Sequence, residues 1–411
     1  MRNESIFGDK QMDTSPRLAF TRTNASVLLD LIRGLAALLV CMEHWRNLLF
    51  VDFNQLHANK ALLSVFYVVT SVGHEAVMIF FVMSGYLISG SIFRLVESGK
   101  WSWRLYLTHR LVRLWIVLLP ALVLGAILDN VGLRLYLNPA LYAGLTGTHM
   151  LGNVADTLHP HIFFGNVFFL QTIFVPSFGS NSPLWSLANE FWYYILFPCA
   201  YLIFLRKTSW KARVLNGLVL IACAVLVGKS ILLLFPVWLL GAALARIKPP
   251  RVGIKLRVIA ACLYCPLFFL LGRAPFMHGL LFDYILGTVS FLFIWLLLGS
   301  RGASPESWQV KLARKAAQFS YTLYLVHVPF LVLLISVLVR DAKWYPDAHH
   351  LLIAFAVLLV TIGYAYAVAS VSEFRTAGIR AWVEEKVLDV RWRVALSTRK
   401  NIPVAAGETE S

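Results

Sequence analysis

Ten apolar runs, each close to the thickness of a bilayer, govern what this 411-residue chain can fold into. They lie near 27–47, 74–93, 107–128, 184–205, 212–228, 231–247, 257–272, 279–299, 318–339 and 350–371. A helix needs about 20 predominantly apolar residues to cross the hydrocarbon core. Residues 61–73 are apolar too, and either extend the second run or lie at the interface. The fifth and sixth runs are short and close together. Composition agrees: 59% of residues are hydrophobic and 14% charged, with a mean hydropathy of +0.70. The pattern predicts an all-α fold, a polytopic integral membrane bundle of about ten transmembrane helices.

A net charge of +16 suggests a nucleic-acid partner, but the basic residues form no continuous patch. They cluster between alternate runs. Segments 1–25, 94–113, 206–213, 246–257, 301–315 and 373–411 carry 29 Lys and Arg, and the intervening segments carry six. Cytoplasmic loops are enriched in this way, so both termini are expected inside, with the lipid bilayer as partner and no nucleic acid. The first 25 residues lack the short apolar core of a signal peptide, so the first span is expected to stay as an anchor. The chain divides into a cytoplasmic segment 1–25, a membrane domain 26–372 and a cytoplasmic tail 373–411. A short amphipathic helix is expected around Ile379–Val394. All five cysteines lie in apolar stretches, and the CxxC at Cys262 and Cys265 is read as packing.

Ionisable groups inside a span cost roughly 2.5–3.5 kcal/mol each, so they face a bundle interior or a watery cavity. The first span holds Asp30, Arg33, Glu43 and His44. Arg33 and His44 are eleven positions apart, which puts both on one helix face about 16 Å apart along the axis. Asp30 sits on the same side. These groups either snorkel or form a polar track leading to a catalytic histidine. Ser84-Gly85 in the second span suits close helix packing or a direct hydroxyl role. Arg110 and Arg113 share a face at the start of the third span, as anchors or as a grip on phosphate. Ser186, Glu190 and Tyr194 form one stripe in the fourth span, and His327 lies in the ninth. His327 is expected to be mainly structural. The long segment 130–182 holds His149, His159 and His161. Carboxylate and cysteine partners are sparse there, so no metal site is expected. It is expected to be a satisfied loop that covers or shapes an outward-facing site.

Taken together, these stretches resemble acyltransferase family 3, the membrane-bound acyltransferases that O-acylate polysaccharides, lipids and small molecules. Arg33 and His44 match its Arg-x10-His feature. Phe80–Leu87 is similar to its FFxxSGF/YL motif, Trp185–Glu190 with Tyr194 and Pro198 to its WSLxxE region, and Ser320–Pro329 to its SYxxYLxH motif. The resemblance covers about residues 26–372, in family order. Two features depart from it. Trp115-Ile116 stand where the family often has Tyr-Pro after its paired arginines. Only a short tail follows the last span, as in the stand-alone form.

The resemblance implies acyl transfer from a cytoplasmic acyl-CoA, most often acetyl-CoA, to a hydroxyl of an envelope or extracellular glycan, glycolipid or small molecule. It implies a multi-pass protein of the inner (plasma) membrane of a bacterium, with no bound cofactor. Arg33, Arg110 and Arg113 are expected to hold donor phosphate, with Ser84, Ser186, Tyr194 and His327 also lining the substrate site. His44 is expected to act as general base. Glu190 is expected to orient it, with Asp30 or Glu43 as alternatives. A covalent acyl intermediate on His44 or Tyr194 stays open. A transporter or flippase with an intramembrane charge path is the alternative class; it predicts inverted repeats or paired broken spans, and the sequence displays neither.

Overall fold

Backbone polar groups in lipid have to be satisfied within the chain, and this chain satisfies them with helices. The computed structural model describes residues 23–146, 150–272, 279–300, 307–339 and 342–386. The expected N-terminal segment up to residue 22, His149, and the tail beyond 386 lie outside the described residues. In order the helices are α1 (Asn24–Leu49), α2 (Lys60–Val69), α3 (Gly73–Glu97), α4 (Trp103–Arg134), α5 (Pro139–Tyr142), α6 (Pro160–Val167), α7 (Leu184–Phe204) and α8 (Trp210–Leu232). They continue with α9 (Phe235–Leu244), α10 (Ile254–Leu271), α11 (Leu280–Leu298), α12 (Trp308–Gln318), α13 (Ser320–Leu338), α14 (Ala348–Val371) and α15 (Thr376–Lys386).

Every expected span contains a helix. Among the described residues, eight helical segments are long and apolar enough to cross a membrane. The two other expected spans are α7, whose 21 residues include Ser186, Asn189 and Glu190, and α9, only 10 residues long. Residues 61–73 do not simply extend the second span. Most of them belong to α2, which ends at Val69 with Thr70 as its C-cap, and α3 starts afresh at Gly73. The Thr70 carbonyl in the break accepts from Arg46 Nε at 3.3 Å. Between the fifth and sixth runs, Gly228 adopts φ 67°, breaking α8 near its end, and α9 begins only at Phe235.

Several starts follow from local capping chemistry, in which a side-chain oxygen takes up an orphan backbone N–H. Thr23 accepts from Ser26 N, Ser102 from Leu105 N, Ser209 from Ala212 N and Asp347 from His350 N.

The bundle has an inside and a periphery. The most apolar windows of 60–97 and 320–338 are each 67% buried, against 17% for α8 and 11% for α10. Outward-facing leucines and valines on α8 and α10 therefore suit lipid, while α1, α3 and α13 are packed at the centre, where α1 meets both others as well as α12. α3 and α9 approach backbone to backbone. A Cβ on Gly85 would fall 2.0 Å from the Trp238 carbonyl oxygen, and one on Gly241 would fall 1.9 Å from that of Val82. The small residue next to Ser84 thus serves packing.

Segment 130–182 folds back on the helix ends and is held by buried polar side chains. Asp129 accepts from Ser180 N (2.8 Å) and Oγ (2.7 Å), and Asn181 Nδ2 donates to the Leu325 carbonyl at 2.7 Å. Gln171 Nε2 donates to the Leu184 carbonyl at 2.8 Å, which fixes the start of α7.

Candidate active site

α1 is one uninterrupted helix, so Arg33 and His44 mark two levels of the bundle about 16 Å apart. We call the Arg33 level the near end and the His44 level the far end. Each level opens onto its own cavity.

The near cavity is about 390 Å³ in volume. Arg33, Arg110 and Arg113 line it, as do Ser84, Glu190 and Tyr194. Arg110 donates to Ser91 Oγ at 2.9 Å, and its guanidinium lies over the rings of Tyr106 (5.4 Å) and Tyr194 (5.8 Å). Arg33 donates to the Ala317 carbonyl at 2.9 Å and pairs with Asp30 at 3.7 Å. Glu190 accepts from Ser84 Oγ at 3.0 Å and from the Tyr194 hydroxyl, while Trp238 Nε1 donates to Ser84 at 3.2 Å. Glu190 is thus a node joining α3, α7 and α9.

The far cavity is smaller, about 140 Å³, and is lined by His44, Glu43, Asn47, His74, Trp185 and Tyr324, among others. His327 Nδ1 lies 2.8 Å from the Leu323 carbonyl, and His327 Nε2 lies 2.8 Å from His44 Nδ1. A carbonyl only accepts, so His327 carries its proton on Nδ1. With both rings neutral, Nε2 of His327 then presents a lone pair, and His44 must donate from Nδ1. The network therefore leaves His44 Nε2 as an unprotonated nitrogen, the form a general base needs.

Among the described contacts no hydrogen bond joins Glu190 to His44; the ring bonds His327 instead. Asp30 is not brought to the histidine either. It lies fourteen positions away, about 21 Å along the helix, beside Arg33. Glu43 lines the far cavity with His44 but spends its carboxylate on other partners. It accepts from the backbone N–H groups of Gly73 and His74, the first residues of α3. A carboxylate at a helix N-terminus is favourably placed against the dipole, and a Cβ on Gly73 would fall 2.0 Å from its oxygen.

Neither His74 nor Asp283 stood out in the sequence, yet His74 Nε2 meets Asp283 Oδ1 at 2.7 Å and the His74 ring stacks on Trp185. The signal lay in plain view, since Gly73-His74-Glu75 puts two titratable residues at the mouth of an apolar span. Asn47 and Tyr324 were missed as well. Val77 and Tyr324 line both cavities, so they form the wall between them. The Tyr324 hydroxyl bonds Ser186 Oγ at 2.6 Å and donates to the Pro183 carbonyl at 3.2 Å. Met150 also lines the far cavity, so the 130–182 segment contributes to its wall, and Pro183 lies there just beyond it.

Trp115 Nε1, one of the departures from the motif, donates to the Val167 carbonyl at 2.9 Å, and α4 runs on unbroken past it. His159 and His161 stack on each other with ring centres 5.7 Å apart.

A family model described as an acyltransferase domain, that of acyltransferase family 3, matches residues 27–370. No curated protein and no solved structure matches the chain.

Proposed function

The chain belongs to acyltransferase family 3, and from that premise we propose that it moves an acyl group, most often acetyl, from cytoplasmic acyl-CoA to a hydroxyl acceptor reached from the opposite face. The observation that carries this is the pair of cavities meeting at Val77 and Tyr324, one lined by arginines and the other by a histidine with a free ring nitrogen. The acceptor is a glycan, glycolipid or small molecule of the envelope or exterior.

The near cavity suits the donor. Guanidiniums form paired, charge-assisted hydrogen bonds to phosphate, and three of them lie at the end remote from His44. The pantetheine arm then extends toward Ser186 and Tyr324 and brings the thioester to the dividing wall. The acceptor enters the far cavity with its hydroxyl against His44 Nε2. His44 takes the hydroxyl proton as the oxygen bonds to the acyl carbon. When the tetrahedral intermediate collapses, the C–S bond breaks and the CoA sulfur takes the proton back from His44. His327 acts through His44: its Nε2 lone pair accepts from Nδ1–H throughout and stabilises the imidazolium, the part an acid plays in a Ser-His-Asp arrangement. We place the near end in the cytoplasm on the 29-to-6 split of basic residues, within an inner (plasma) membrane.

Purified protein given radiolabelled acetyl-CoA should transfer label to an envelope lipid or glycan fraction. Arg110→Ala with Arg113→Ala should raise the donor KM at least tenfold, because a hydrogen bond to a charged group contributes roughly 1.5–3 kcal/mol. A donor KM unchanged in the double variant would return both arginines to the role of topological anchors.

A further inference from the structure

The family domain ends at residue 370, yet the near cavity is completed by residues beyond it. After α14 the chain turns through Glu373–Arg375 into α15. Thr376 and Arg380 of α15 line the near cavity, and the same two residues line a neighbouring cavity of about 360 Å³ together with Arg33, Arg113 and Glu373. Thr376, Arg380 and Glu384 are spaced four apart and share one face of the helix. That face is turned to the bundle, where Glu384 lies 2.6 Å from His109 of α4 and 3.5 Å from Arg380. Trp382, off that stripe, is exposed.

The turn is anchored rather than merely adjacent. The Glu373 carboxylate accepts from Thr322 N at 2.9 Å and from Thr322 Oγ1 at 2.8 Å, in the first turn of α13. Its own carbonyl accepts from Thr376 Oγ1 at 2.6 Å, which ties α15 to the same point. Arg380 is therefore held at the arginine end of the near cavity, at the level of Arg33 and far from His44. It is half-exposed, and its carboxylate partner is shared with His109, so its guanidinium can turn to an incoming anion.

We propose that α15 belongs to the donor site and that Arg380 binds a phosphate at the nucleotide end of acyl-CoA. This rests on the assignment of acyl-CoA as donor. The chemistry is that of a phosphorylated nucleotide: arginines from α1, α4 and α15 converge on one mouth, and planar guanidinium forks match phosphate oxygens. A lipid headgroup offers the same phosphate chemistry, and the lipid composition of the assay separates the two sources.

The test compares three donors on the full-length protein in neutral detergent: acetyl-CoA, its 3′-dephospho form and S-acetylpantetheine, which has no phosphate. Arg380→Ala should raise the KM for acetyl-CoA about tenfold, the lower end for a charge-assisted contact, with kcat within about twofold. The KM for S-acetylpantetheine should not move. Binding of CoA itself, measured by calorimetry, should weaken by the same factor, and Arg380→Lys should recover part of it. Trp382→Ala, on the exposed side, should match the parent. An unchanged acetyl-CoA KM and CoA affinity in Arg380→Ala sinks the proposal, as does an equal loss on S-acetylpantetheine, which would mark a structural role. An effect that emerges only in bilayers containing anionic lipid assigns the contact to headgroups and overturns it too. If the parent protein neither binds CoA nor uses acetyl-CoA, the donor assignment itself fails. A parent that uses acetyl-CoA while Arg380→Ala behaves like it removes only the role of α15.

Discussion

His44 and His327 are a pair whose two members differ in what they can lose. His44→Gln keeps a hydrogen-bonding side chain but cannot take a proton. Loss of general-base catalysis typically lowers rates about 10²–10⁴-fold, so kcat should fall by that much with insertion unaffected. His327 touches His44 and is not among the residues lining either cavity. Its Nε2 accepts from His44 Nδ1, and the carboxamide oxygen of Gln can take that place. His327→Gln should therefore retain much more activity than His327→Ala, which leaves the His44 ring without its acceptor. Equal activity in the two His327 variants, or near-parent rates in a well-inserted His44→Gln, would remove the relay. Glu190 should behave differently again. It joins Ser84 and Tyr194 in the near cavity. Glu190→Gln should disturb the donor KM while leaving the pH profile of kcat with the parent shape, and a displaced profile would bring Glu190 back as the partner of His44.

At the scale of elements, the α3–α9 crossing is where the bundle tolerates least. Both glycines there meet backbone carbonyl oxygens, which cannot swing aside as a side-chain end can. Overpacking typically costs 1–3 kcal/mol, so Gly85→Val and Gly241→Val should each lower the melting temperature in detergent by several degrees. Gly217 on α8 has open space around its Cβ position and serves as the control. A Gly85→Val protein that melts with Gly217→Val would mean that the helices do not approach as closely as described. The same crossing positions Ser84, which receives Trp238 Nε1 from α9 and gives its hydroxyl hydrogen to Glu190 on α7, so a fault in packing should be felt in the near cavity.

For the molecule as a whole, orientation decides which substrate meets which cavity. With 29 basic residues on one set of segments and six on the other, a reporter fused within 206–209 should lie in the cytoplasm and one within 150–175 outside. Finding 150–175 in the cytoplasm would reverse the bundle and send acyl-CoA to the histidine cavity instead of the arginine cavity. The central position of α1, α3 and α13 and the lipid-facing periphery of α8 and α10 do not depend on that outcome, because they are packing relations within the bundle, the same whichever end faces the cytoplasm.

Much of this was legible in the residues. Hydropathy runs specify helices because lipid leaves the backbone no other way to satisfy its polar groups, and all ten expected runs hold a helix. Helical periodicity placed Arg33 and His44 on one face, since a single unbroken helix is a one-dimensional object. What the sequence could not determine is which side chains meet across helices. The sequence reading favoured Glu190 as the partner of His44 and took His327 as mainly structural, although each is a polar group in an apolar span. The choice was made by the way α13 packs on α1, which brings His327 Nε2 within 2.8 Å of the ring, while α3 and α9 turn Glu190 to Ser84. Likewise, Arg380 reads as one charge in a polar tail until Glu373 fastens that tail to α13. Periodicity is a property of one element, whereas a site is made where several meet. Only tertiary packing, through the close contacts of small residues and buried carboxylates, decides that.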